Sequence, residues 1–306
     1  MNISIIIPTF NGANVILNVL QALSKQTYSG FEVITVIDGS TDNTADLLRK
    51  QSFNFQSSKI LEQTNKGRSI TRNNGAKEAN GELLIFLDDN TLPLENCIEK
   101  HVEHHTKYPQ SILTGAILDR VDNGQGDIQS YKSFLSIKWN KTLRDIYDAP
   151  LPKEKIFLNA ANCSIPKKLF IELRGFDATL TDAEDYDLAV RAFHKQIPLY
   201  YNDQAFVWKI DPITCLSYVR RKREYQAMHK KLFLLRPNLY HSFPIGELKT
   251  PTGLKALIFK MFAFRFWIWT ADNFNWLRVF PKNLRYRIYD LIITANGVYY
   301  PDRVKV

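Results

Sequence analysis

Three groups of acids stand where a carboxylate could meet a ligand: Asp38, the pair Asp88 and Asp89 with Asn90, and Glu184, Asp185 and Asp187. The run LLIFLDDN, residues 83–90, places two adjacent carboxylates directly after five apolar residues. A run that short and that apolar reads as a strand buried on both faces. In an open α/β sheet the ligand sits beyond the carboxyl ends of the strands. Two carboxylates crowded at such a tip repel each other unless a cation or a set of donors compensates them. A divalent metal carrying a phosphorylated ligand would do so. A plain polar turn is the other reading, since Asp and Asn are common turn residues. Asp38 repeats the pattern at the end of FEVITVI, with capping of the following helix as its alternative. Thr181 and Glu184 have capping-box spacing, and acids suit a helix's first turn, which accounts for Glu184 but gives Asp185 and Asp187 no structural task.

Positioning these acids takes a series of buried strands. Residues 3–7 read as the first, followed by a turn and a helix over 13–24; residues 31–37 are the second, followed by a short helix from Thr44 capped by Thr41 or Asp42. A weak third strand at 59–61 and a polar helix over 67–80, stopped by Gly81, lead into the central strand. This alternation predicts an α/β fold with a mostly parallel sheet and right-handed crossovers, and a nucleotide-binding half over residues 1–90. Beyond it come a helix at 94–105, a strand at 111–118, a loop at 119–127, and a mixed stretch of helix and open loop at 131–152. A strand at 158–165, a helix from Pro166 closed by Gly175, a loop at 176–182 and a helix from Glu184 follow. Two short strands within 199–208 and a long basic helix over Cys215–Leu235 complete the series.

With 306 residues and 45% hydrophobic content the chain can bury a sizeable core. Cys97, Cys163 and Cys215 are an odd number without paired spacing, which points away from disulfides and structural zinc and toward a reducing, cytoplasmic setting. No basic leader precedes the first strand. The net charge of +9 is unevenly placed: residues 1–219 hold 23 Lys/Arg against 26 Asp/Glu, and residues 220–306 hold 17 against 5. Such a tail seeks an anionic surface. Residues 254–271 are dense in Phe and Trp but broken by Lys255, Lys260 and Arg265, so no apolar run reaches the ~20 residues of a transmembrane helix. Those charges, five apart, fall on different sides of a single helix. A surface-lying anchor at the inner face of the cell membrane is one reading, and core-covering helices are the other; a second helix over 285–296 ends at Gly297. No nucleic-acid-binding motif accompanies the charge.

Four stretches, in order, carry a resemblance: IIIPTFNG, VIDGSTDNT, NKGRSITRNNGAKEANGELLIFLDDN and NCSIPKKLFIELRGFDATLTDAEDYDLAVR. Together they cover most of residues 2–191, and as a set they resemble the inverting family 2 glycosyltransferases of the GT-A fold. The resemblance implies a transferase domain over 1–215, with a nucleotide half at 1–90 and an acceptor half at 91–215, and a basic aromatic helical extension over 216–306. It places Pro8, Thr9, Asp38, Arg72, Asp88 and Asp89 at a nucleotide sugar, with Arg72 near the diphosphate. Asp185 becomes the general base, and Asn162, Gly175, Glu184 and Asp187 fall on the acceptor side. Asp88, Asp89 and Asn90 would hold Mg²⁺ or Mn²⁺, although Asn90 stands where the family carries a second aspartate and offers only a neutral oxygen. Lys209 occupies the place of a family histidine and could face the diphosphate. The implied reaction moves a sugar, from a UDP-sugar as the commonest donor, to a glycan or lipid-linked hydroxyl. A non-catalytic nucleotide-sugar-binding protein on the same fold is the alternative.

Overall fold

The computed structural model describes residues 1–122, 125–146, 148–243 and 251–303; positions 123, 124 and 147, within stretches read above as loop or mixed, lie outside the described residues. The apolar runs set its frame. Strands β1 (Ile3–Thr9) and β2 (Phe31–Asp38) are buried along their whole length, whereas β3 (Ser57–Gln63) alternates between half-buried and exposed as the edge of the sheet. Strand β4 (Leu83–Leu87) is again wholly buried. The helices between them are α1 (Ile16–Leu23), α2 (Thr44–Arg49) and α3 (Arg68–Glu78). β1, β2, β3 and β4 pair in parallel in the order β3-β2-β1-β4, so their carboxyl ends share one edge.

The remaining strands turn the sheet around. In chain order these elements are β5 (Thr91–Pro93), α4 (Cys97–Lys107), β6 (Ile112–Asp119), α5 (Asp127–Arg144), β7 (Asn162–Pro166), α6 (Lys167–Glu172), α7 (Glu184–His194) and β8 (Leu199–Lys209). β7 runs antiparallel to β4 and β6, and β5 antiparallel to β8, giving an eight-stranded sheet of order β3-β2-β1-β4-β7-β6-β8-β5. The expected mostly parallel sheet is thus parallel in its first half and antiparallel in its second. The two short strands expected within 199–208 are one continuous strand. The stretch 131–152, expected to be mixed, is helical up to Arg144, and Tyr131 in it is core.

The chain forms two compact units, Met1–Leu118 with Trp139–Ile210, and Asp119–Lys138 with Asp211–Val306. The first carries the sheet. The second is helical, with α8 (Cys215–Leu235), α9 (Pro237–Tyr240), α10 (Gly253–Phe262), α11 (Arg265–Asn273) and α12 (Lys282–Thr294). A Thr214–Ser217 capping box opens α8, and Val219, Ile268, Tyr289 and Ile292 share its core with Ile128 and Tyr131. Gly297 does not stop α12; the chain continues into a wide helical turn in which Gly297 packs on α8, where a Cβ would lie 2.9 Å from that of Lys222. Among the described residues no helix is long and apolar enough to cross a membrane.

Within the sheet unit, a buried polar network fixes β7. Asn162 donates its amide protons to Ala116 O at 3.0 Å and Ala205 O at 2.8 Å, so its Oδ1 must accept from His101 Nε2 at 3.0 Å. Ser164 then gives its one proton to His101 Nδ1 at 2.8 Å and accepts from His105 Nε2 at 2.8 Å. Gly115 leaves room for this: a Cβ there would lie 2.3 Å from Asn162 Nδ2 and 2.2 Å from Ala205 O. Burial holds the histidines neutral, pushing His101 and His104 down to about 4 and His105 to about 2. As pH falls below ~6.5 the unfolded chain binds protons that the folded one cannot, so stability declines from there toward pH ~4. We expect a loss on the order of 2 kcal/mol per histidine by pH 5. Urea midpoints measured at pH ~7.5 and ~5 test this, and equal midpoints would refute the buried neutral network.

Candidate functional site

The site grows from the common carboxyl edge of β1, β2, β3 and β4. Thr9 ends β1, and its hydroxyl donates to Asp89 Oδ2 at 2.6 Å; Pro8, one residue earlier, is buried in the strand opposite Val36. Asp38 ends β2, where its buried carboxylate accepts from Gln63 Nε2 at 2.7 Å and from the amides of Lys66 and Gly67 at 2.8 and 2.9 Å. Asp38, expected at the nucleotide sugar, thus holds the loop leading into α3. Asn11, at φ 52°, ties the loop after β1 to the loop after β2 by accepting from Thr41 N at 2.8 Å.

Helix α3 joins these pieces to the rest. Gln63 Nε2 also donates to Thr71 at 3.2 Å, and the next residue, Arg72, sends Nη2 to Asp88 and Nη1 to Glu184, each at 2.6 Å. Ser69 donates to Leu180 O at 2.9 Å, and the Asn73 amide brackets the backbone of Phe176, donating to its carbonyl at 2.7 Å and accepting from its amide at 2.9 Å. Ser69, Arg72 and Asn73 have the spacing of one helical face. Gly75 lets α3 lie close on the sheet, since a Cβ there would stand 2.5 Å from Ile6. A chain of side-chain contacts thus connects Asp38 to Asp88 and to the start of α7.

The start of α7 departs from the capping box expected of Thr181 and Glu184. Ala183 occupies the cap in the left-handed region at φ 58°, with no side-chain cap, and Glu184 turns to the buried Arg72 guanidinium, a stronger partner than a backbone amide. Asp185 follows, with Oδ2 accepting from Ala160 N at 3.3 Å and Oδ1 from Tyr186 N at 2.7 Å. Burial in the surrounding protein, and then the Glu184 charge, raise its pKa to about 7. Asp187 is wholly buried and pairs with Arg191 at 2.7 Å; Arg191 also donates to the carbonyls of Leu173 and Gly175. Gly175 has φ 64°, and a Cβ on it would lie 2.6 Å from Asn73 Oδ1, so this turn requires glycine.

Asn162 is fully enclosed, its amide saturated by the β7 network. Both terminal nitrogens of Arg72 are held by carboxylates, and its side chain is 3% exposed. Burial alone would raise Asp88, but the charge and hydrogen bond of Arg72 together with the charges of Lys209 and Arg68 hold that acid below its ordinary value. Lys209 pairs with Thr91 across β5 and β8, and the Thr91 hydroxyl donates to Asp88 O at 2.8 Å. Asn90 O accepts from Ile210 N at 3.0 Å.

As a cation site the cluster has hard oxygen donors in Asp88, Asp89 and Asn90. Among the described residues no group of three or more His, Cys, Asp or Glu could hold a metal by itself. The donors fit the mode in which Mg²⁺ is held by one or two carboxylates and completed by substrate phosphates.

Residues 4–174 match the sequence model described as glycosyl transferase family 2. An uncharacterized glycosyltransferase of Haemophilus influenzae is 28% identical over 196 residues, which is 62% of this chain and 61% of the relative. Glycosyltransferase AglE of Haloferax volcanii is 30% identical over 144 residues, 46% of this chain and 47% of AglE. The chain therefore spans less than two thirds of these relatives. Among solved structures it resembles mannosyltransferase PcManGT from Pyrobaculum calidifontis in complex with GDP-Man and Mn²⁺ (TM-score 0.64, 15% identity, 97% of this chain and 87% of that one). It also resembles S. aureus TarS 1-349 in complex with UDP (TM-score 0.54, 19% identity, 98% and 92%). At these identities the likeness is one of fold, that of GT-A glycosyltransferases.

Replacing Arg72 with methionine strands two buried acids at once, and removing one partner of a buried ion pair costs about 3–5 kcal/mol. We expect R72M to lose stability of that size in urea unfolding. A change below ~1 kcal/mol would mean that the guanidinium does not hold Asp88 and Glu184 together.

Proposed function

We propose, from the premise that the chain belongs to glycosyl transferase family 2, that it transfers a sugar from a nucleoside-diphosphate sugar to a hydroxyl of a glycan or lipid-linked acceptor with inversion at the anomeric carbon. The observation that carries this reading is the Arg72 bridge, which ties the acids after β4 to the first turn of α7 and so sets Asp185 beside the proposed donor site. UDP and GDP-Man in the two fold neighbours support a nucleotide sugar as donor.

Asp185 acts as the general base. Its raised pKa suits the role, since a base works best when its pKa lies near the operating pH. Ionised Asp185 takes the proton from the acceptor hydroxyl as the oxygen attacks the anomeric carbon. The bond from that carbon to the diphosphate oxygen breaks on the opposite face, and the nucleoside diphosphate leaves with the electron pair. Lys209 and Arg68, whose charges already act on Asp88, oppose the negative charge growing on the leaving group. Asp88, Asp89 and Asn90 would hold Mg²⁺ or Mn²⁺, as the Mn²⁺ in PcManGT's complex suggests, and the bound ion would supply Lewis-acid stabilisation of the same charge. Glu184 and Arg72 position; they do not touch substrate. Thr9 fixes Asp89 from the donor side.

Two measurements test the assignment. Turnover of a nucleotide sugar should rise with pH through about 7 as Asp185 ionises, and D185N should lower kcat by about 10²–10⁴-fold while leaving donor affinity intact. Turnover in D185N equal to that of the parent would remove Asp185 from the role. Thermal unfolding with UDP- and GDP-sugars, with and without Mn²⁺, should show the ion raising Tm mainly when a nucleotide is present. If donors stabilise the fold and none is turned over with any acceptor or ion, a nucleotide-sugar-binding protein replaces the enzyme.

A further inference from the structure

Among the described residues, the outer face of α10 leaves a row of large apolar side chains exposed. Phe259 and Ala263 are buried against Ala295, with Leu291 and Tyr299 packed alongside. Leu254, Leu257, Ile258 and Met261 are exposed by 73%, 56%, 38% and 56%. Positions i, i+3, i+4 and i+7 form one helical stripe, so four large aliphatic side chains face away from the unit's own core. Lys255 and Lys260, both exposed, fall on opposite flanks of that stripe at about 100° per residue. A break at Ala263 and Phe264 separates α10 from α11, so Arg265 belongs to the next helix and does not spoil the pattern. The scattered charges expected of one continuous helix become one stripe edged by two lysines. Helix α11 adds exposed Phe266 and Trp269.

The electrostatics select the occupant. Between residues 253 and 287, Lys255, Lys260, Arg265, Arg278, Lys282 and Arg287 are exposed. The sole acid in that interval, Asp272, is only partly exposed and accepts from the amides of Cys215 and Leu216 at 2.5 and 3.1 Å. A second copy of this face would bring cation against cation. An anionic lipid surface satisfies both features, because apolar side chains enter the acyl boundary while flanking lysines extend to the headgroups. We propose that the outer face of α10, carried by Leu254, Leu257, Ile258 and Met261 between Lys255 and Lys260, seats the helical unit in the interface of an anionic bilayer without crossing it. The inference is independent of the donor chemistry and survives or fails apart from it.

Co-sedimentation of the full chain with phosphatidylglycerol vesicles and with phosphatidylcholine vesicles tests the proposal. The parent should pellet with the anionic vesicles and stay largely in solution with the neutral ones. L257D/M261D alters only exposed positions, so it should keep the parent's melting temperature and donor binding while losing vesicle binding. K255Q/K260Q should weaken partitioning at least about tenfold, since each basic residue near an anionic surface contributes roughly fivefold. Failure of the parent to pellet, or an unchanged partition in L257D/M261D, would overturn the proposal. So would a concentration-dependent dimer in lipid-free solution that L257D/M261D dissolves, because a second copy would then cover the face.

Discussion

One buried guanidinium organises the sheet unit's working edge. Arg72 is almost fully enclosed, and its two terminal nitrogens are divided between an acid that follows a central strand and an acid that opens a helix more than a hundred residues later. A carboxylate taken from water needs a partner of opposite charge, and an arginine fork satisfies two carboxylates without ambiguity of geometry. Desolvation works against both charge types here, but the mutual attraction prevails: the arginine is raised and Asp88 is lowered from their ordinary values. Asp185, beside this cluster, is raised first by burial and then by the Glu184 charge, against the opposing pull of the arginine.

The sheet and the acid-bearing strand tips were legible because burial writes itself into sequence as uninterrupted apolar runs. Ile3, Val33 and Leu83 are core residues of strands whose parallel direction follows from their alternation with helices. The antiparallel half was harder to read, since β7 alternates Asn, Cys, Ser and Ile and its polar members are buried by a network with α4. Pairwise hydrogen bonding among distant side chains leaves no periodic trace.

Helix α3 shows the limit from the other side. Its composition is that of a solvated helix, yet Ser69, Thr71 and Arg72 are buried because the polar face meets backbone carbonyls and carboxylates in place of water. The stripe at 69, 72 and 73 was present in the sequence, and only the absence of a compensating apolar face hinted at its use. The α7 cap failed differently: local spacing offered Glu184 a backbone partner, and a distant charge outbid it. The C-terminal charges were read on one continuous helix, and a single break between α10 and α11 regroups them.

Strand β7 enters the sheet against the direction of β4, so the few residues before it arrive at the edge where the parallel strands end; Leu87 lies opposite Asn162. Within that short approach, Ala160 N meets Asp185, Ala161 O meets Thr91, and Asn162 locks to His101. Three anchors in consecutive positions leave no slack for an added or missing residue. Whatever freedom evolution has to vary side chains along this segment, its length is fixed by geometry, and drift in loop size must be sought elsewhere in the chain.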